Sequence, residues 1–160
     1  MAFDIEQDLT AIQNVLLVDE SLLLLLDLAG PTFDKKVNDY IKENPGTPRE
    51  FAERIIRVSS IIKRSTWNDL TTNEKRLCIF FIPDRRTRNE AILEGIVEIN
   101  IHVPAVHDYK AREALERVKQ LLHSERINKK YLKFIGQLGE LPTMSGFYCC
   151  GSRFRFYRTI

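Results

Sequence analysis

The chain has 160 residues, 44% hydrophobic and 29% charged, with 24 Lys and Arg against 22 Asp and Glu for a formal charge of +2. That composition fits one compact domain and excludes collagen-like, mucin-like and wholly disordered classes, while so small a charge is not that of a polybasic nucleic-acid coat. The average hides a step: residues 1–46 hold nine acids and three bases, net −6, and residues 47–160 hold thirteen acids and twenty-one bases, net +8. An acidic front and a basic back point to attraction between copies, or to a basic surface facing an anion.

Asp4 is placed to cap a first helix whose apolar residues Ile5, Leu9, Ile12, Leu16 and Leu17 follow helical spacing. A second helix is expected from Asp19-Glu20-Ser21 through Leu22–Leu26 and Leu28, ended by Gly30-Pro31. Five consecutive leucines put apolar groups on all its sides, which suits a central helix or one covered by a neighbouring subunit. Thr32 to Glu43 reads as a short polar helix, and Asn44-Pro45-Gly46 as a break. Thr47, Pro48 and Glu50 then spell a capping box for a helix over 48–64, with Phe51, Ile55, Val58 and Ile62 as its core stripe.

The period changes near residue 76. Leu77 to Ile82 is a strand stopped by Pro83, and Asp84 to Asn89 a charged hairpin loop. The next strand alternates: Leu93, Gly95, Val97, Ile99, Ile101 and Val103 face one way, and Glu94, Glu98, Asn100 and His102 the other, with Ile96 as the exception. Asp108 is placed to cap an amphipathic helix containing Ala111, Leu115, Val118, Leu121 and Leu122. A basic linker, Arg126 to Lys133, leads to Phe134-Ile135; Gly136, Gly139 and Pro142 mark turns; Gly146 to Ile160 is a last strand. The expected class is α+β: an antiparallel sheet of about four strands packed on helices, preceded by a helical N-terminal half. The expected division is a helical arm or subdomain over 1–46 and an α+β core domain over 47–160.

Little here spells chemistry. The glycines make no phosphate loop, and no His/Cys spacing matches a zinc site, so neither a cofactor nor a metal is expected. Pro83-Asp84 with Glu98-Ile99-Asn100 is faintly like the carboxylate pair of metal-dependent nucleases, but Asn100 stands where the lysine is needed. No catalytic residue is expected. Cys78, Cys149 and Cys150 are too few for a disulfide scaffold and read as small apolar residues of a reducing cytosol. The start Met1-Ala2-Phe3-Asp4 carries no secretory signal, and the longest apolar run falls short of the roughly 20 residues of a membrane span. The informative polar residues are Arg85, Arg86 and Arg88 at the hairpin and Arg153 and Arg155 on one face of the last strand, suited to an acidic surface or to phosphates. Glu94 and Glu98 are placed to pair with Arg153 or Arg155 across strands.

The run Glu94-Gly95-Ile96-Val97-Glu98-Ile99-Asn100-Ile101-His102-Val103-Pro104, the amphipathic helix after it, the Gly/Pro linker and the strand from Gly146-Phe147-Tyr148 to Arg158 carry a resemblance. Over about residues 76–160 the chain resembles the tail-terminator and head-to-tail joining proteins of long-tailed bacteriophages. In that family a strand ending in a Val-x-Val-Pro or Val-Trp-like pattern precedes a helix, and an aromatic strand closes the sheet. The resemblance implies a structural virion protein, assembled in the host cytoplasm, that forms a ring, commonly of six copies, at the neck. Such a ring terminates the tail tube and joins it to the head connector, with DNA passing through its lumen. The expected partners are further copies, the connector and tail-tube proteins, with no membrane. Arg85, Arg86, Arg88, Arg153 and Arg155 become candidate interface or lumen residues. The helix-rich first 70 residues depart from the pattern. The alternative reading is a non-catalytic nucleic-acid-binding module that uses the basic C-terminal half.

Overall fold

The computed structural model describes residues 5–71, 74–86 and 92–159. It is α+β: N-terminal helices followed by a five-stranded, mostly antiparallel sheet. The cap expected from Asp4 lies outside the described residues.

Helix α1 (Ile5–Leu17) buries Leu9, Ile12 and Leu16. Helix α2 (Glu20–Leu25) is capped by Asp19, whose carboxylate accepts the Leu22 N–H at 2.9 Å. It stops earlier than Gly30-Pro31 suggests. Asp27 turns left-handed at φ 56°, Leu28 N–H reaches the Leu23 carbonyl at 2.7 Å, and Asp27 N–H reaches Leu24 at 3.2 Å. That pair of bonds is a Schellman termination, here built on an aspartate. Gly30 and Pro31 instead start helix α3 (Pro31–Glu43), as its N-cap and first residue.

Helix α4 (Arg49–Ser60) departs from expectation at both ends. Pro48 occupies the N-cap, and the Thr47 hydroxyl donates back to the Asn44 carbonyl at 2.7 Å rather than closing a capping box. Ile61 and Ile62, read from the sequence as helix, leave it to form β1 (Ile61–Ile62), parallel to the start of β2 (Arg76–Arg86). Two β-branched residues suit a strand better than a helix end. The Gln13 amide donates to the Ile61 carbonyl at 2.6 Å and fixes the new edge to α1.

Strand β2 runs through Pro83, which was expected to stop it. The ladder with β3 (Ile92–Pro104) shifts register between Ile82 and Arg85, and the irregularity absorbs a residue that has no N–H to give. Asp84, Arg85 and Arg86 are therefore strand residues rather than hairpin loop. A 3-10 turn (Ala105–His107) leads to α5 (Asp108–Leu122), where His107 rather than Asp108 holds the N-cap. The basic linker contains a small hairpin of β4 (Arg126–Ile127) and β5 (Lys130–Tyr131), turned by Asn128 and Lys129 at φ 49° and 67°. Positive φ at both central residues is the hairpin-favouring type I′ geometry. Gly136 lies in β6 (Lys133–Leu138) at a register shift, not in a turn. β7 (Phe147–Thr159) lies between β3 and β6, giving the order β1-β2-β3-β7-β6.

One face of the sheet buries Leu77, Ile79, Val97, Ile99, Ile101, Cys150, Phe154 and Phe156 in one cluster with α1, α2 and α5. Gly95 opposes Phe156, and a Cβ there would stand 2.5 Å from the Phe156 ring; only glycine leaves room for that ring. The charge step in the sequence is met inside the chain. Asp8–Lys130 at 2.9 Å, Asp19–Arg117 at 2.6 Å, Asp34–Arg49 at 3.2 Å, Glu6–Lys63 at 3.8 Å and Asp27–Lys75 join acids of 1–46 to bases of the remainder. Long-range pairs thus stitch the front helices to α5, to the β4–β5 hairpin and to the segment before β2.

Candidate interaction surfaces

The second face of the sheet carries most of the polar residues singled out in the sequence, yet it is largely covered. Glu98, Asn100 and His102 on β3 are all buried, and so are Arg76 on β2 and Cys149 on β7. His102 is 1% exposed. Trp67 stacks on its ring at 6.2 Å between centroids, and its Nδ1 lies 2.8 Å from the Thr143 hydroxyl. The Cys149 sulfur is 3.6 Å from Nε2. Burial, with the Arg76 charge nearby, pushes the His102 pKa down to about 4. Burial also raises the Cys149 and Cys78 thiols, and takes Cys150 up to about 11. A neutral imidazole then accepts from the Cys149 S–H through Nε2 and donates from Nδ1 to Thr143; the tautomer is assigned from these partners. Protonated thiols beside a neutral, enclosed imidazole pack a layer and do not make an activated nucleophile.

Of the candidate arginines, Arg153 donates from Nε to Glu98 at 2.8 Å, one of the cross-strand pairs read from the sequence. Its charge is therefore partly spent within the sheet. Arg155 stands opposite Lys133 in the β6–β7 ladder, and its guanidinium lies 5.8 Å from the Tyr157 ring centroid. Like charges directly opposite repel, so this pair favours an anion laid over it. Arg85 and Arg86 pair by backbone with Glu94 and Leu93, while their side chains, and all of Arg88, lie outside the described residues. The structure thus brings Arg153 and Arg155 together on one strand.

The surface missed in the sequence is on α4. Its regular stripe reads as core, yet Phe51 is 56% exposed and Val58 36%, whereas Ala52 and Ser60 are the residues it buries. The helix is turned so that Ala52 lies against the core and Ile56 beside it. Phe51, Ile55 and Val58 line an open groove of about 760 Å³ with Arg54, Lys63 and Arg64. A second groove of about 440 Å³, lined by Leu17, Val18 and Arg57, shares Arg54 and Val58 with it. Periodicity gives the presence of an apolar face but not the direction it points. The available signal was the small pair Ala52 and Ser60 on the opposite side, which permits close helix approach.

No protein-family model matches the chain, and no curated protein sequence matches it. Among the described residues no group of three or more His, Cys, Asp or Glu is placed to hold a metal, and no helix is long and apolar enough to cross a membrane. What the exposed surfaces offer is contact: an apolar groove with a cationic rim, and a sheet face with paired cations.

Proposed function

We propose that the chain is a structural subunit of a bacteriophage neck, assembling into a ring that terminates the tail tube and joins it to the head connector. The reading rests on the resemblance of residues 76–160 and on one structural observation. β2, β3 and β7 continue together past the last core layer, Gly95 on Phe156, through Glu94 between Arg85 and Tyr157 to Leu93 between Arg86 and Arg158. Strands of 11, 13 and 13 residues span roughly 40 Å, whereas the 15 residues of α5 span roughly 22 Å. A stiff three-stranded blade that outruns its helix can reach a neighbouring subunit while the core keeps its shape. A heterologous contact of that kind, repeated by rotation, closes a ring. In this reading Arg85, Arg86 and Arg88 serve at the interface or the lumen, and Arg155 with Lys133 faces an acidic neighbour or passing DNA.

Electron microscopy and mass photometry of the purified chain, alone and with tail-tube and connector proteins, test the reading. Rings, or rings seated on tube ends, are the expected result. A strict monomer that joins neither component overturns it.

A further inference from the structure

Two exposed surfaces of this chain are opposite in charge, each with apolar side chains at its centre, and they lie on different elements. The first is the groove along α4, beside β1 at one edge of the sheet, with Phe51 and Val58 exposed between Arg54, Lys63 and Arg64. Arg54 and Arg64 enter no ion pair among the described residues, whereas Arg76 at the groove wall is held by Asp69 at 2.5 Å and by Glu74 at 2.9 Å. The second is a ridge over β3 and β7, on the outer side of α5 and the turn before it. There Val106 is 78% exposed and Tyr109 52%. Tyr109, Glu113 and Glu116 recur at i, i+4 and i+7, so the apolar ring and two exposed carboxylates share one helix face. Neither carboxylate enters an ion pair among the described residues. On the same helix, Arg112 lies 5.9 Å from the Tyr148 ring centroid and Arg117 is paired with Asp19.

We infer that the α4 groove of one copy receives the Val106–Tyr109–Glu113 ridge of the next. Tyr109 fills the space beside Phe51 and Val58, and Glu113 and Glu116 meet Arg54 and Arg64. An apolar anchor inside a charged rim is the usual anatomy of a specific contact. Groove and ridge do not overlap, so each copy gives its ridge to one neighbour and its groove to another. That is a heterologous contact, and a chain of such contacts closes only by rotation. The inference rests on the ring reading above and names the surfaces that would make it.

The test uses two folded-surface variants of the full chain. Phe51→Ala with Arg54→Ala removes the groove and keeps the ridge; Tyr109→Ala with Glu113→Ala removes the ridge and keeps the groove. All four side chains are exposed, and unchanged circular dichroism melting verifies folding. Sedimentation velocity should show assembly of the wild type, weakened by salt. Each variant alone should lose association by at least about tenfold, equivalent to about 1.4 kcal/mol. An equimolar mixture of the two should form a 1:1 heterodimer and stop there, because one good surface remains on each. If the wild type assembles and either variant assembles equally well, the groove and ridge are not the contact, while the ring reading stands. If either variant alone forms closed dimers and mixing adds nothing, the contact is symmetric and the inference fails. A wild type that stays monomeric with itself and with neck components overturns the ring reading as well.

Discussion

Lowering the pH should destabilise the fold through His102, in a window set by its burial. The unfolded imidazole titrates near 6.5, and the folded one near 4. Above pH 6.5 both states are neutral and His102 adds no slope. Between 6.5 and 4 the unfolded chain takes up a proton that the folded chain refuses, so stability falls as pH falls. Below 4 both states are protonated and the loss levels off at about 3 kcal/mol, from 1.36 kcal/mol for each pH unit of separation. Between pH 7.5 and 5.0 the same linkage amounts to about 2 kcal/mol. Asp19 acts elsewhere. The Arg117 guanidinium and the Leu22 N–H hold its carboxyl below the usual range. Its contribution is therefore complete above about pH 4 and fades only as pH falls through the lowered folded value. Urea unfolding at pH 7.5 and 5.0, followed by Trp67 fluorescence, measures the His102 contribution because that indole stacks on the ring. His102→Asn keeps a donor for Thr143 but cannot titrate, and it should be less stable at pH 7.5 yet flat between the two pH values. A wild type that loses less than about 0.5 kcal/mol, or a variant with the same slope, refutes the reasoning.

Gly95→Ala drives a methyl into the Phe156 ring and should cost about 1–3 kcal/mol in chemical denaturation, as overpacking does. Phe156→Leu should recover part of that loss in the double variant, because the ring is the obstacle. Cys78, Cys149 and Cys150 are buried, with thiols pushed above their ordinary range, so none should react with a maleimide at pH 8 in the native state. All three should react in urea, with mass spectrometry counting the adducts.

Where an element turns one apolar face to the helix-packed core, its sequence pattern carried that face. That is why the alternation of Val97, Ile99 and Ile101 in β3, the aromatic parity of Phe154 and Phe156 in β7, and the stripe of α5 read correctly. The pattern misleads where a polar face is itself covered. Glu98, Asn100 and His102 look solvated in sequence, but Trp67 and Thr143 close over His102, and the partners that make such burial tolerable lie 35 to 41 positions away. α4 fails in the opposite sense: periodicity shows a stripe, and only tertiary contacts decide whether it faces inward. The two-residue β1 is illegible for a third reason, since a strand so short exists only because β2 offers it an edge. The charge step was visible, but its meaning was not. A carboxylate at Asp19 finds Arg117 across 98 positions, and composition cannot tell a partner in the same chain from one in a neighbour.

The position of β7 has a consequence for how the polypeptide is made. It pairs with β3 along its whole length and with β6 on its other side, yet it follows both in the chain. A nascent chain that has emerged from the ribosome only as far as β6 therefore presents two unpaired strand edges with no partner between them. Exposed edges of that kind invite pairing with other chains. The sheet cannot be completed strand by strand during synthesis: the position between β3 and β6 is filled last.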